Sequence, residues 1–355
     1  VPPADFTVSD LHQAARIIRY GLPLPAGKLP ADLLEESLGG IVTDDPSVLV
    51  SARLGEDAAA VDVSEDDVLV LASDPITLAS DAAARYAVLV NANDVATSGA
   101  LPRWLLTTLL FPVGSTPSQV AAMVRDLHDA CHPWGISLCG GHTEVTDAVT
   151  RPLISGTMAG TAPAGRLLDK RGMCAGDHIL LTKRVAVEGT GLIAREFPGR
   201  LVAAGMTAAE IAEAAAFLDK LSILPEARVA MGFAGVTALH DVTEGGLATA
   251  VSELGAAGGR RLRVDLAAIP VYPQTQRICA IMGIDPMGLI GSGSLLITCR
   301  QAEAGALALA VARAGVEITH IGEVGPEGRG VEAHEGGRPA EWPRFERDEV
   351  SRLTR

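Results

Sequence analysis

The chain has 355 residues, enough for two domains, and its 48% hydrophobic and 20% charged residues are typical of a soluble globular protein. A formal net charge of -14 argues against a nucleic-acid backbone or an anionic membrane surface as the main partner. Five scattered cysteines without a C-x-x-C pair predict reduced, mostly buried thiols. No signal peptide or membrane-spanning segment is evident, so we expect a cytoplasmic protein.

The first half of the chain alternates strand-like and helix-like segments. A short helix over 10–20 and a Pro/Gly-rich arm over 21–30 precede it. Apolar periodicity then predicts the following order: two strands within 48–72, a helix over 81–100, a strand over 104–111, a helix over 118–132, a strand over 136–139, a polar loop over 140–146 and a strand over 152–160.

Charged and glycine-rich residues 165–177 predict a boundary, after which the alternation resumes. The predicted elements are a strand at 178–183, helices from 188 and over 207–221, a strand at 236–241 running into a helix, a strand near 295, a helix over 301–314 and a strand over 316–324. This order indicates two α/β domains with parallel or mixed sheets. The expected division is an N-terminal arm (1–48), two α/β domains (49–165 and 166–325) and an extended polar tail (326–355).

Five acidic residues share a context of small neighbours, in which a ligand can approach the backbone. Four border strand-like runs, whereas Asp94 lies inside a helical segment with Asn91 and Asn93, where a helix cap is not expected. Mg²⁺ prefers oxygen ligands shared with substrate phosphates, and converging carboxylates repel one another unless a cation neutralises them. The pattern therefore indicates a metal–nucleotide site. Its acidic members are Asp57, Asp74, Asp94, Glu144 and Asp241.

A structural interpretation of the same residues stays open. An Asp after a strand is commonly a turn former or a helix cap, and Asp74 before Pro75 fits that role. Neither a phosphate-binding P-loop nor G-x-G-x-x-G is present. The glycines in 188–191 and 245–247 either offer backbone N–H groups to an anion or simply begin helices. Four basic residues either meet an anionic substrate or are solvated: Arg103, Arg151, Lys183 and Arg184.

Several motifs in this order resemble the AIR synthase (PurM-like) superfamily, most closely its HypE-like AIR synthase-related proteins. The similar stretches span roughly residues 25–325. They are GKLP (27–30), GEDAAAV (55–61), SDPIT (73–77), NANDVATSGALPRW (91–104), GGHTEVT (140–146), GTMAG (156–160), AGDHILLTK (175–183), VEGTG (187–191) and HDVTEGGLATAVSELG (240–255).

The resemblance implies a two-domain fold with mixed α/β sheets, in which the N-terminal domain pairs with a second subunit to form a shared β-barrel in a homodimer. It also implies ATP and Mg²⁺ as cofactors, with transfer of the γ-phosphoryl group to an oxygen of a small-molecule substrate. Asp57, Asp74 and Asp94 would hold the metal and the phosphates. The other implied cofactor-binding residues are Asn91, Gly141, His142, Thr143, Glu144 and Asp241.

The chain departs from each characterised member of that superfamily. The printed sequence has no Cys after Cys299, whereas HypE ends in a carbamoyl-accepting Cys. It has no Cys before Cys131 to match selenophosphate synthetase, and His142 follows Gly-Gly where thiamine-monophosphate kinase has Asp. We therefore expect a phosphoryl-transfer enzyme whose substrate is unassigned. The alternatives are thiamine-monophosphate kinase, a non-catalytic nucleotide-binding accessory or maturation protein that docks a protein partner, and a metal-dependent hydrolase.

Overall fold

A computed structural model describes residues 48–50, 55–56, 59–63, 66–77 and 82–353. The predicted helix over 10–20, the arm over 21–30 and the candidate ligand Asp57 lie outside these residues. None of the helices in the described ranges is long and apolar enough to cross a membrane.

The first half of the chain forms a six-stranded mixed sheet with two helices packed against it. Its strand order is β1-β2-β3-β6-β4-β5, and only the β4–β5 pair is parallel. The elements are β1 (Val48–Val50), β2 (Ala59–Asp62), β3 (Asp67–Ile76), α1 (Ala83–Thr97), β4 (Leu101–Pro112), α2 (Pro117–Cys131), β5 (Ser137–Thr146) and β6 (Leu153–Pro163).

The second half forms a seven-stranded sheet in the order β13-β12-β9-β11-β7-β10-β8, with only the β9–β12 pair parallel. Its strands are β7 (His178–Thr182), β8 (Val236–Asp241), β9 (Arg260–Asp265), β10 (Leu295–Cys299), β11 (Ile318–Glu327), β12 (Val331–Glu335) and β13 (Arg338–Ala340). Its helices are α3 (Val187–Glu196), α4 (Pro198–Ala203), α5 (Ala208–Ala215), α6 (Leu224–Ala230), α7 (Gly246–Ala257), α8 (Pro273–Met282) and α9 (Gln301–Arg313).

One hydrophobic core joins the two halves. Val95 of α1 and Leu105 of β4 belong to the same buried cluster as Leu239 of β8 and Ile297 of β10. Helix α1 contacts β3 and β6 of the first sheet and also β8 of the second. A second cluster fills the space between the other face of the second sheet and α7. Helix α1 therefore lies where the two halves meet, and its polar residues are inside the protein.

Three of the predicted segments have a different structure, and α4, α6, α8 and β9 were not predicted. Residues 140–146, expected to be a loop, belong to β5, because an edge strand exposed on both faces tolerates glycines and polar side chains. The helix expected over 207–221 ends at Ala215 and continues as a 3₁₀ turn. Residues 326–355, expected to be an extended tail, contribute β12 and β13 and bury Trp342, whose indole N–H donates to the Ala248 carbonyl at 3.0 Å.

The five cysteines are free thiols, as expected, and three of them are buried. Burial raises the pKa of Cys131 to about 11 and that of Cys279 to about 12, so these thiols stay protonated and unreactive.

Candidate functional site

The polar segment of α1 is held in place by hydrogen bonds on its first-sheet side. The Asn91 side-chain oxygen accepts the Asp74 backbone N–H at 2.8 Å, and its amide nitrogen donates to the Asp74 carbonyl at 3.3 Å and to the Ala87 carbonyl at 2.8 Å. Asn91 is fully buried, so these bonds satisfy an amide that would otherwise cost about 1–3 kcal/mol to desolvate. Asn91 therefore fixes the backbone of β3 at Asp74.

Asn93 makes the equivalent connection to the second half. Its amide donates to the Leu221 carbonyl at 2.9 Å, and its oxygen accepts the Ile223 backbone N–H at 3.0 Å. Two asparagines spaced two residues apart on one buried helix thus bind neighbours in different halves of the protein. Neither residue caps a helix end. The double attachment therefore explains why an Asn-x-Asn pattern lies in the middle of α1.

Asp94 is the residue after Asn93 within α1, and it is only 5% exposed. Its backbone carbonyl accepts the Thr97 hydroxyl at 2.7 Å. The glycines of β6 let the helix approach the sheet, since a Cβ atom on Gly156 would lie 2.5 Å from the Asn91 amide nitrogen, and one on Gly160 would lie 2.6 Å from Val95. The small residues of the 156–160 motif therefore let Asn91 and Val95, which flank Asp94 on α1, pack closely against the first sheet.

Asp74 lies on β3 and pairs with Gly156 in the antiparallel β3–β6 ladder. Asn91 therefore contacts the Asp74 backbone, and Asp94 lies about one helical turn beyond Asn91 on α1. No three carboxylates among the described residues gather within single-ion distance of one another. The expected third ligand, Asp57, is outside the described residues, so the three-aspartate site stays a prediction.

The predicted residues Gly141, His142, Thr143 and Glu144 lie elsewhere, on β5. Strands β6 and β4 separate β5 from β3, which puts the two strands three strand spacings, or about 14 Å, apart. The four residues are exposed, and the His142 ring nitrogen Nε2 lies 3.6 Å from the Glu144 carboxylate. Within one chain they form a surface patch separate from Asp74 and Asp94.

Asp241, the last predicted residue, ends β8 and is 1% exposed. It follows Leu239 by two positions, so it lies on the face of β8 that belongs to the core shared with α1. The intervening His240 lies on the opposite face and approaches Glu253 of α7 at 3.6 Å. Asp241 therefore borders the same interior region as α1.

At each of the two glycine-rich helix starts, a glycine N–H group already has a partner within the protein. The Gly189 backbone N–H donates to the Ile290 carbonyl at 2.9 Å. The Gly245 N–H donates to the carboxylate of Asp348 at 2.7 Å, so the anion at the start of α7 is a side chain of this protein. Asp348 is buried, and burial raises its pKa to about 6. Sequence reasoning missed Asp348, because it lies about a hundred residues away in the supposed tail.

From the sequence alone, Lys183 is either a substrate contact or a solvated charge. In the structure it has a structural role instead. Its ammonium group donates to the Glu226 carboxylate at 2.5 Å and to the carbonyls of Ser222 and Gly293 at 2.9 and 2.6 Å. Glu226 is fully buried. Burial lowers the Lys183 pKa, while the neighbouring Glu226 raises it in partial compensation. This pair holds the 221–223 loop that Asn93 also binds.

The fold defines a two-sheet mixed α/β protein in which α1 carries buried polar residues where the two halves meet. The chain matches the family described as AIR synthase related protein, through its N-terminal domain at residues 55–162 and its C-terminal domain at residues 175–335. This chain belongs to the AIR synthase-related family.

Similar proteins include the carbamoyl dehydratase HypE of Cupriavidus necator, 31% identical over 291 residues, which are 78% of this chain and 79% of that protein. The thiamine-monophosphate kinase of Caulobacter vibrioides is 31% identical over 351 residues, covering 95% of this chain and 89% of the kinase. A crystal structure of the hydrogenase maturation protein HypE in complex with ATP has the same fold, with a TM-score of 0.67 at 20% identity over 86% of this chain and 91% of that one.

Proposed function

We propose that this protein is an ATP- and Mg²⁺-dependent enzyme that transfers the γ-phosphoryl group of ATP to an oxygen of a small substrate. The observation that carries the proposal is the buried Asp94 on a helix fastened to both halves of the molecule. The ATP complex of a structurally similar HypE and the kinase among the relatives support the same class of chemistry.

The donor chemistry of the site fits Mg²⁺. Asp74 and Asp94 offer carboxylate oxygens, which are the ligands that Mg²⁺ prefers, and Asp57 is proposed to complete the set. The Asn91 side-chain oxygen already accepts the Asp74 N–H, so Asn91 positions Asp74. Bound Mg²⁺ would neutralise phosphate charge. The protein's own part is to hold the aspartates rigidly, which suits a reaction driven by positioning and electrostatics.

Replacing Asp94 with Asn tests the proposal, because it removes a charge with little change in volume. We expect D94N to lose Mg-ATP binding in isothermal titration while its circular dichroism stays unchanged. The control D126N removes an exposed charge from α2 and should bind as the parent protein does. Unchanged nucleotide affinity in D94N would refute the proposed site.

Thiamine-monophosphate kinase is the second candidate, and the Caulobacter relative that spans 95% of this chain favours it. Incubation with ATP and thiamine monophosphate, with ADP release as the readout, tests this activity directly. ATP binding without turnover on this or any other metabolite would favour the third candidate, an accessory protein that docks a partner.

We also propose a homodimer in the cytoplasm, formed through β4 and β5. Strand β5 is a ten-residue edge strand that is exposed along most of its length, and such edges are usually covered. Apolar side chains on one face of β4 are partly exposed, among them Trp104 at 38% and Leu106 at 44%. Light scattering should give twice the monomer mass, and L106E should halve it.

A further inference from the structure

A cluster of metal-ligating side chains lies on the second sheet, on elements that the proposed nucleotide site does not use. His178 begins β7, and His320 and Glu323 lie on the neighbouring strand β11. The antiparallel pairing places Glu323 directly opposite His178, and a bulge follows His320. The bulge brings the His320 ring to the same surface as the other two side chains.

The three side chains are close enough to share one ion. One ligand atom from each residue lies within 4.8 Å of the other two, and in the described part of the chain no other trio of His, Cys, Asp or Glu side chains does so. The imidazole rings of His178 and His320 are 4.2 Å apart at their centroids. Ligand atoms around Zn²⁺ lie about 2.0–2.2 Å from the metal, so rotations that close the cluster by about 1 Å would complete the geometry. His320 and Glu323 are both exposed at the surface, where side-chain rotation meets less packing than in the core.

The donor types favour a transition metal over Mg²⁺. Imidazole nitrogen suits Zn²⁺ and its neighbours in the first row, whereas Mg²⁺ takes oxygen ligands almost exclusively. Two imidazoles and a carboxylate also form the protein ligand set of zinc sites that keep one position open.

The cluster opens onto a cavity of about 290 Å³. Its wall includes His320 and Glu323 from the cluster, with Arg263, Asp265 and His334 from the adjacent strands. An ion held by the cluster would therefore have an open coordination position facing space large enough for water or a small anionic ligand, with the Arg263 cation nearby.

We propose that His178, His320 and Glu323 bind one Zn²⁺-type transition-metal ion, with its open position facing this cavity. The site is independent of the proposed function, because it uses neither the aspartates near α1 nor a nucleotide.

Zinc alone is the probe, and the full chain, stripped with chelator and then freed of it, is the sample. Competition with a chromophoric chelator should give one Zn²⁺ bound per chain, undisturbed by millimolar Mg²⁺. H320A and E323Q should each weaken binding by at least about tenfold. The control H334A alters the cavity wall outside the trio and should bind zinc as the parent protein does. Cobalt in place of zinc should give visible absorption bands that H320A removes.

Several results would overturn the assignment: no zinc bound by the parent chain, equal affinity in H320A and the parent, or equal weakening in H334A and H320A. Thermal unfolding of each variant checks that it is folded. E323Q changes only a terminal group of an exposed side chain, so it remains informative if H320A does not fold. Loss of zinc binding with intact ATP binding would separate this site from the nucleotide site.

Discussion

Glu188 makes the stability of this protein depend on pH in a direction opposite to that of most carboxylates. It lies in the first turn of α3, is 6% exposed, and interacts with Ser292. Burial is the main cause that raises its pKa to about 7, and the negative charges of Asp348 and Glu244 add to the effect, whereas the Ser292 hydrogen bonds oppose it. The folded protein therefore holds a proton on Glu188 that the unfolded chain releases near pH 4.5.

The sign and size of the effect follow from proton linkage. Between pH 4.5 and about 7 the folded state binds more protons at Glu188 than the unfolded state does, so the free energy of unfolding falls as pH rises. The stabilisation that comes from Glu188 is fully present below pH 4.5, and it is lost as the pH rises through about 7. A shift of this size corresponds to about 3 kcal/mol. Asp348, whose pKa is raised to about 6, adds a further loss of stability with rising pH, over a lower pH range.

Glu188→Gln replaces the ionisable carboxyl with a neutral group of the same shape. Urea unfolding is followed by tryptophan fluorescence for both proteins. The free energy of unfolding of E188Q minus that of the parent protein should increase by about 3 kcal/mol as the pH rises from 4.5 to 8. The control E213Q removes a carboxylate from the exposed face of α5 and measures the general effect of losing one negative charge. Parallel pH profiles for E188Q and the parent protein would refute the reasoning.

Two further predictions concern stability and are measured by the same denaturation assay. A Cβ atom on Gly141 would lie 1.9 Å from the Thr107 carbonyl oxygen, so G141A should lower the free energy of unfolding by about 2 kcal/mol. In the control G140A the added Cβ atom meets nothing within 4 Å, so the loss of stability should be small. Equal losses in the two variants would contradict this reasoning. Lys183→Met leaves the Glu226 charge buried without its cation and should cost about 3–5 kcal/mol. Adding Glu226→Gln should restore most of that loss, and failure of this rescue would show that the ion pair is not the cause.

The proposed enzymatic site is partly readable in the chain before folding. Asn91, Asn93 and Asp94 interrupt an apolar helix, and this local conflict correctly indicates that Asn91 and Asn93 have partners outside the helix. The pattern did not reveal which partners these are. Asn93 binds residues well over a hundred positions later, and such pairs leave no periodic trace in either segment.

The sequence by itself determined many of the strands and helices, because a short apolar run such as Leu295–Cys299 fits a buried strand and the apolar spacing of α2 fits an amphipathic helix. It also carried the family motifs across both halves. Only the tertiary structure decided that residues 140–146 form an edge strand and that Asp348 caps α7. The same is true of the His178, His320 and Glu323 cluster. The physical reason is that strand pairing and burial join residues far apart in the chain, and local chemistry does not encode which distant partner each segment will meet.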